Sequence, residues 1–151
     1  MFERFSETAR CTVTEGVKEA ARRGDRRVGT DHLLLGLLHD PSSAATLGVS
    51  LEAARAAEEA LDREALAAVG VDPGPGPLAM PRPAAGRLPM TSAAKGVLAH
   101  SVRRAAADRS RTITGRHVVL ALLENRTPDP AAALLARLGV VAEDVKSRLE
   151  G

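Results

Sequence analysis

The chain repeats itself. Residues 5–38 align without a gap to residues 90–123 at an offset of 85. Nine of those 34 pairs are identical: Ala9/Ala94, Val17/Val102, Ala20/Ala105, Ala21/Ala106, Arg26/Arg111, His32/His117, Leu35/Leu120, Leu37/Leu122 and Leu38/Leu123. Others are conservative, such as Ser6/Thr91, Arg10/Lys95 and Val28/Ile113. Leu47-Gly48-Val49 returns as Leu138-Gly139-Val140 at an offset of 91. A duplicated pattern requires one supersecondary unit to form twice. A unit of about 60 residues has a marginal core alone, so the two copies are expected to pack around a pseudo-twofold axis. The expected organisation is repeat 1 over 1–69, a connector over 70–89 and repeat 2 over 90–151, forming one structural domain. The connector holds six of the nine prolines and four glycines, a composition that makes it irregular or mobile.

Each copy reads as four helices. Ser6 or Thr8 is placed to cap the first, whose stripe Phe5, Ala9, Val13, Val17, Ala20 and Ala21 follows a helical period and ends at Gly24-Asp25. Thr30 is expected to cap a second helix from Asp31 to about His39. It is apolar on most sides and therefore buried. A short helix over about 43–47 ends at Gly48, and Ser50 caps a fourth that runs to about Val69, with Leu51, Ala54, Ala57, Leu61, Ala65 and Ala68 on one side. In the second copy, Thr91 caps a helix to about Asp108 and Thr114 or Gly115 precedes one to about Asn125. Helices over 130–138 and 142–149 complete it. Composition agrees with an all-α fold. Hydrophobic residues are 44% of the chain but aromatics only 1%, so Ala, Leu and Val must build the core. Such small side chains need the close backbone approach that helices provide.

Composition also excludes. Two Phe and no Trp or Tyr leave no stacking platform for single-stranded nucleic acid. One Cys rules out an internal disulfide and a Cys-rich metal site. Apolar runs fall far short of the roughly 20 residues that cross a bilayer. The opening MFERFSETAR has no apolar signal region. A soluble, cytoplasmic monomer is expected. The net charge of +2 comes from 21 basic and 19 acidic residues, with no polybasic tail.

The segments MFERFSETAR, VGTDHLLLGLLHD and LGVS, and their second pass LPMTSAAKGVL and ITGRHVVLALLE, resemble the Clp N-terminal repeat domain of the AAA+ unfoldases ClpC, ClpA and ClpB, and the ClpC type above all. The paired motif Gly-Thr-acid-His-x-Leu-Leu-x-Leu carries the resemblance, which covers essentially the whole chain apart from the longer connector. It implies an all-helical docking module for adaptors, for proteins marked with phosphoarginine and, in some relatives, for cyclic peptide antibiotics. The chain contains no G-x-x-x-x-G-K-[ST] loop to cradle a nucleotide. The resemblance therefore implies a non-enzymatic module of proteolysis and chaperone systems, without cofactor or metal. The long connector and the degenerate second repeat favour a stand-alone docking domain without a motor.

Several residues are candidates. Thr30 and Asp31 match the family's phosphoarginine site, where the acid receives a guanidinium in a forked, charge-assisted pair. Asp is one methylene shorter than the family's usual Glu. The plain alternative is an acid complementing a helix dipole. In copy two, Arg116 replaces that acid and Thr114-Gly115 inverts Gly-Thr, so a second site is expected to be lost or re-purposed. A cation at a helix start also calls for a local partner. Phe2, Arg10, Met90 and Lys95 match the family's cyclic-peptide face, with Met90 where Phe is usual. His32 and His117 lack ligand spacing and are expected to bond a backbone carbonyl and tie the second helix to the first. His39 and His100 are expected at the surface, and Cys11 reads as a packing residue. The paired Arg clusters at 22–27 and 103–111 suit helix C-termini. They also carry the alternative of a small helical regulator that binds nucleic acid.

Overall fold

The computed structural model describes residues 4–78 and 88–150. Its elements are α1 (Glu7–Arg23), α2 (Thr30–Leu37), α3 (Pro41–Leu47), α4 (Leu51–Ala68), α5 (Ser92–Ala107), α6 (Gly115–Leu123), α7 (Pro130–Arg137) and α8 (Ala142–Glu150). There is no strand among the described residues. The all-α fold of two matching four-helix halves is the one the repeat requires. Part of the connector, 79–87, lies outside the described residues.

Local chemistry sets the boundaries. Ser6 caps α1 by accepting from Ala9 N, and Thr91 caps α5 by accepting from Ala94 N. Gly24 ends α1 at φ 77°, a left-handed conformation that costs glycine little. Asp40 and Asp129 cap α3 and α7, each followed by Pro at the first helical position. The second helices differ from the expectation. Gly29, not Thr30, is the N-cap of α2, and α2 ends at Leu37. The reason lies in His32, whose Nδ1 accepts from Gly29 N at 2.8 Å and replaces a side-chain cap.

The halves are interlocked by symmetric contacts. Phe5 pairs with Ile113 and Met90 with Val28 in two parallel bridges. Residues 5 and 90, like 28 and 113, are repeat equivalents, so each half lends its lead-in segment to the other half's loop. Ser6 N donates to Ile113 O at 2.8 Å, and Thr91 N donates to Val28 O at 2.9 Å. Helices follow the same exchange. α7 rests on α2 and α3 on α6, while α4 meets α7 and α8 meets α3. One continuous apolar cluster results, centred on Leu33, Leu34, Leu35, Leu37, Val118, Leu122 and Leu134.

The buried face of α1 is not the expected stripe. Ala9, Thr12, Gly16, Glu19, Ala20 and Ala21 are buried, whereas Val13 and Val17 are only partly so. Glycines cause the rotation. A Cβ on Gly36 would stand 2.1 Å from Thr12 O and 2.7 Å from Gly16 N, so α2 crosses α1 backbone to backbone. No helix among the described residues is long and apolar enough to cross a membrane.

Candidate functional site

The start of α2 carries the densest polar network. His32 Nδ1 accepts from Gly29 N, which leaves the proton on Nε2 to be donated to Asp25 Oδ2 at 2.7 Å. Asp25 Oδ2 also accepts from Arg23 Nε at 3.1 Å. Arg23 Nη2 donates to Asp62 Oδ2 on α4 at 2.6 Å and stands 3.9 Å from Glu58 Oε1. Glu58 is buried, and its Oε2 has no hydrogen-bond partner. The loop after α1, the start of α2 and the middle of α4 thus converge on one acidic corner.

Electrostatics follow from these contacts. The His32 bond holds the Asp25 carboxyl below the usual range, with the Arg23 charge adding to it against the opposing effect of burial. Glu58 moves the other way. Burial and the adjacent Asp31 carboxyl push it well above the usual carboxylate range, and Arg23 only partly offsets them. A carboxyl raised so far is protonated at neutral pH.

Asp31 itself is 9% exposed. A Cβ on Gly29 would meet its Oδ1 at 2.6 Å, so the carboxylate folds back over the start of its own helix, and Oδ1 lies 3.5 Å from His32 Nδ1. That placement complements the helix dipole. Thr30 is fully buried. Its hydroxyl donates to Asp129 Oδ1 at 2.9 Å and accepts from Ala131 N at 3.1 Å, joining α2 to the start of α7. Thr30 is therefore committed to the joint between the halves.

The equivalent corner of the second half is built differently. Thr114 N donates to His117 Nδ1 at 3.0 Å, and His117 Nε2 faces Asp108 Oδ2 at 3.1 Å. The two histidines thus accept from a backbone N–H and reach an aspartate, where a carbonyl partner was expected. Arg116 has the local partner its position called for. Nη1 donates to Asp108 Oδ2 at 2.9 Å and Nε to Leu149 O at 3.4 Å. Asp108 is not the repeat equivalent of Asp25, because the offset of 85 pairs Asp25 with Ser110.

The second expected surface is partly in view. Arg10 and Lys95 are exposed, near the starts of α1 and α5. Met90 is half-buried in its bridge with Val28. Phe2 lies outside the described residues. Cys11 is exposed rather than packed, because the rotation of α1 turns it outward. His39 lies at the surface yet reaches the buried Glu19 at 3.1 Å. Arg55 of α4 forks onto the same carboxylate.

Glu58 and Asp62 were not singled out from sequence, and Arg23 was named only as part of the Arg cluster at 22–27. A signal for Glu58 existed. It falls between Ala54 and Leu61 on the apolar stripe of α4, where a carboxyl has no business unless something receives it.

Comparisons with known proteins bear on this architecture. No family model matches the chain. The ATP-dependent Clp protease ATP-binding subunit ClpA homolog of Brassica napus chloroplasts is 29% identical over 154 residues, covering 99% of this chain and 16% of that protein. The chloroplastic chaperone protein ClpC1 of Arabidopsis thaliana is also 29% identical, with 99% and 15% covered. The crystal structure of the N-terminal domain of the ClpD chaperone from Arabidopsis thaliana superimposes with a TM-score of 0.75 at 25% identity, over 99% of this chain and 97% of that one. In sequence and fold the chain is similar to the N-terminal domain of Clp chaperones. The Hsp104 N-terminal domain of Candida albicans shares the fold at a TM-score of 0.66 and 16% identity, over 96% of this chain and 88% of that one. The chain spans about a sixth of the length of the curated relatives it matches, whose names place them in chloroplasts.

Proposed function

We propose that this chain is a non-catalytic docking module that captures adaptors, phosphoarginine-marked proteins or cyclic peptides for a Clp unfoldase or protease. The observation that carries the reading is likeness over 99% of the chain to Clp chaperones and to an isolated Clp N-domain. Asp31 is the proposed receiver of a guanidinium. Its carboxylate is the one group of the Thr30-Asp31 pair not tied into the joint between halves. Phe2, Arg10, Met90 and Lys95 are proposed as a separate peptide face. Arg10 and Lys95, exposed and repeat-related, give it a cation from each half. The module acts in the cytoplasm, as a monomer without cofactor. Arg116, held by Asp108, offers no acid for a second guanidinium, so binding is expected at one site per chain.

Calorimetry with free phosphoarginine tests the reading. Binding with one site per chain, weakened at least tenfold by Asp31→Ala, supports it. Heat unchanged by the substitution removes Asp31 from the site. No heat with phosphoarginine, combined with heat from a cyclic peptide that is lost in an Arg10→Ala, Lys95→Ala double variant, moves docking to the peptide face. Capture of duplex DNA at physiological salt, with affinity falling steeply as salt rises, would instead favour the exposed arginines Arg26, Arg27, Arg109 and Arg111.

A further inference from the structure

The start of the connector stays on the bundle. From Gly74 to Leu78 it is held against α4 by contacts that end on its main chain. Arg63 Nη1 donates to Gly74 O at 2.8 Å, Arg63 Nη2 donates to Gly76 O, and Leu78 N donates to Glu59 Oε1 at 2.7 Å. Glu59 and Arg63 stand one turn apart on α4, and Arg63 Nη2 lies 3.7 Å from Glu59 Oε1, so each orients the other. This strap is shallow. Gly74 and Leu78 are half-buried, while Pro75, Gly76 and Pro77 are exposed. Beneath it, α4 packs on α7 and α2 and reaches α1 through long side chains, Arg55 to Glu19 and Asp62 to Arg23. A valley is left between α1 and α4. Pro77 borders a cleft of about 300 Å³ there, together with Leu35 and Ala56. Leu78 borders a second of about 410 Å³, with Ala65 and Leu66, and Arg23 and Glu59 line both.

We propose that this valley is a docking groove for an extended segment of another polypeptide, of the form Gly-x-Gly-Pro-apolar, and that residues 74–78 occupy it in the free protein as a resident stand-in. The inference rests on the docking reading above for the source of that segment, a captured protein, and gives the capture a place apart from Asp31. The anchors on α4 grip carbonyl and N–H groups, so they serve any chain that presents its main chain in the same way. In such recognition main-chain bonds supply affinity and flanking pockets supply selection. Gly74 and Gly76 both have positive φ, 75° and 102°. L-residues rarely adopt that conformation, so a segment that offers both carbonyls to one guanidinium needs glycine at both positions. Proline between and after them fixes φ and reduces the freedom lost on docking. The apolar residue that follows matches Leu78 at the wider cleft. Because the strap is tethered, it competes at an effective concentration in the millimolar range. The groove therefore opens to segments that fit better than the connector does.

Nuclear magnetic resonance titration with the synthetic peptide VDPGPGPL, which copies residues 71–78, tests the groove. Wild type is compared with a strap-weakened double variant, Pro77→Ser with Leu78→Ser, in which the α4 anchors are kept and neither changed residue belongs to the apolar core. The expected result is that the peptide shifts the amide signals around Glu59 and Arg63, and that the strap-weakened variant binds it at least tenfold more tightly than wild type, its competitor being weaker. The peptide VDPAPAPL, with both glycines replaced, is expected to bind at least tenfold more weakly, and Arg63→Ala in the strap-weakened background to remove binding. Equal affinities of wild type and variant, indifference to the glycines, binding that survives Arg63→Ala, or no shift in any protein overturns the proposal. A strap-weakened variant that dimerises in sedimentation instead of taking the peptide assigns the groove to the connector of a second copy and overturns it too. Phosphoarginine calorimetry on the same samples keeps the two readings apart. Heat there without peptide binding defeats the groove alone, and peptide binding without that heat leaves the groove standing while removing the Asp31 site.

Discussion

At Gly36 a single hydrogen stands where a methyl group would overlap the backbone of α1. The nearest atom to a Cβ there is a main-chain oxygen, Thr12 O, which cannot swing aside as a side chain would. Gly36→Ala is therefore expected to destabilise the protein by about 3 kcal/mol, at the upper end of overpacking effects. Gly16→Ala meets His32 O at 3.0 Å and should cost roughly 1 kcal/mol. Urea denaturation of the two variants checks the ranking, and equal midpoints would show that the crossing is looser than described. In the second half Ser101 and Ala121 stand at the equivalent positions, and both are buried. The glycines were visible in the sequence, but a helical glycine has no local signature of the neighbour that requires it. For that reason the stripe through Val13 and Val17 was expected to face the core, and the buried line through Thr12, Gly16 and Glu19 was not.

Among the elements, α2 depends most on a long-range clamp. Its eight residues are all buried, and so short a helix is marginal without tertiary support. His32 ties its first turn to Gly29 N and to Asp25, which Arg23 ties in turn to α4. His32→Ala removes a cap and leaves a buried N–H unpaired, at an expected cost of about 1–3 kcal/mol. Thermal denaturation should show a smaller loss for His117→Ala, because Asp108 is exposed and Thr114 retains a hydroxyl at the cap. Helix number, order and most boundaries were legible from periodicity, caps and the repeat. The clamp was not. The histidines stood out as repeat equivalents, but Asp25 and Asp108 fall two residues apart in the alignment, so no comparison of the halves pairs them.

The whole molecule sums opposing titrations. Burial and the neighbouring Asp31 raise Glu58, so the folded protein holds a proton there that the unfolded chain gives up near pH 4.5. The stability this confers is complete below that pH and is lost as pH rises towards the folded value, by up to about 1.4 kcal/mol per pH unit. Glu19 and Asp25 behave oppositely. Burial would raise Glu19, but the Arg55 and His39 contacts more than offset it, and the His32 bond lowers Asp25. Their contribution is present above the ordinary carboxylate range and is lost as pH falls through their lowered values. Maximum stability is expected in mildly acidic solution, and Glu58→Gln should flatten the alkaline side while leaving the acid side intact. Urea midpoints between pH 3 and 9 check this, and parallel wild-type and variant curves above pH 5 would contradict it. By itself the sequence determined the number of units, their all-helical character and the candidate residues, because a period and a cap are local properties that a chain carries whether folded or not. The tertiary structure alone decided that the halves exchange lead-in segments and third helices, that Thr30 joins them and that Glu58 is buried. Those outcomes depend on how closely backbones approach across tens of residues, and burial beside a particular neighbour, rather than residue type, sets the charge of a carboxyl group.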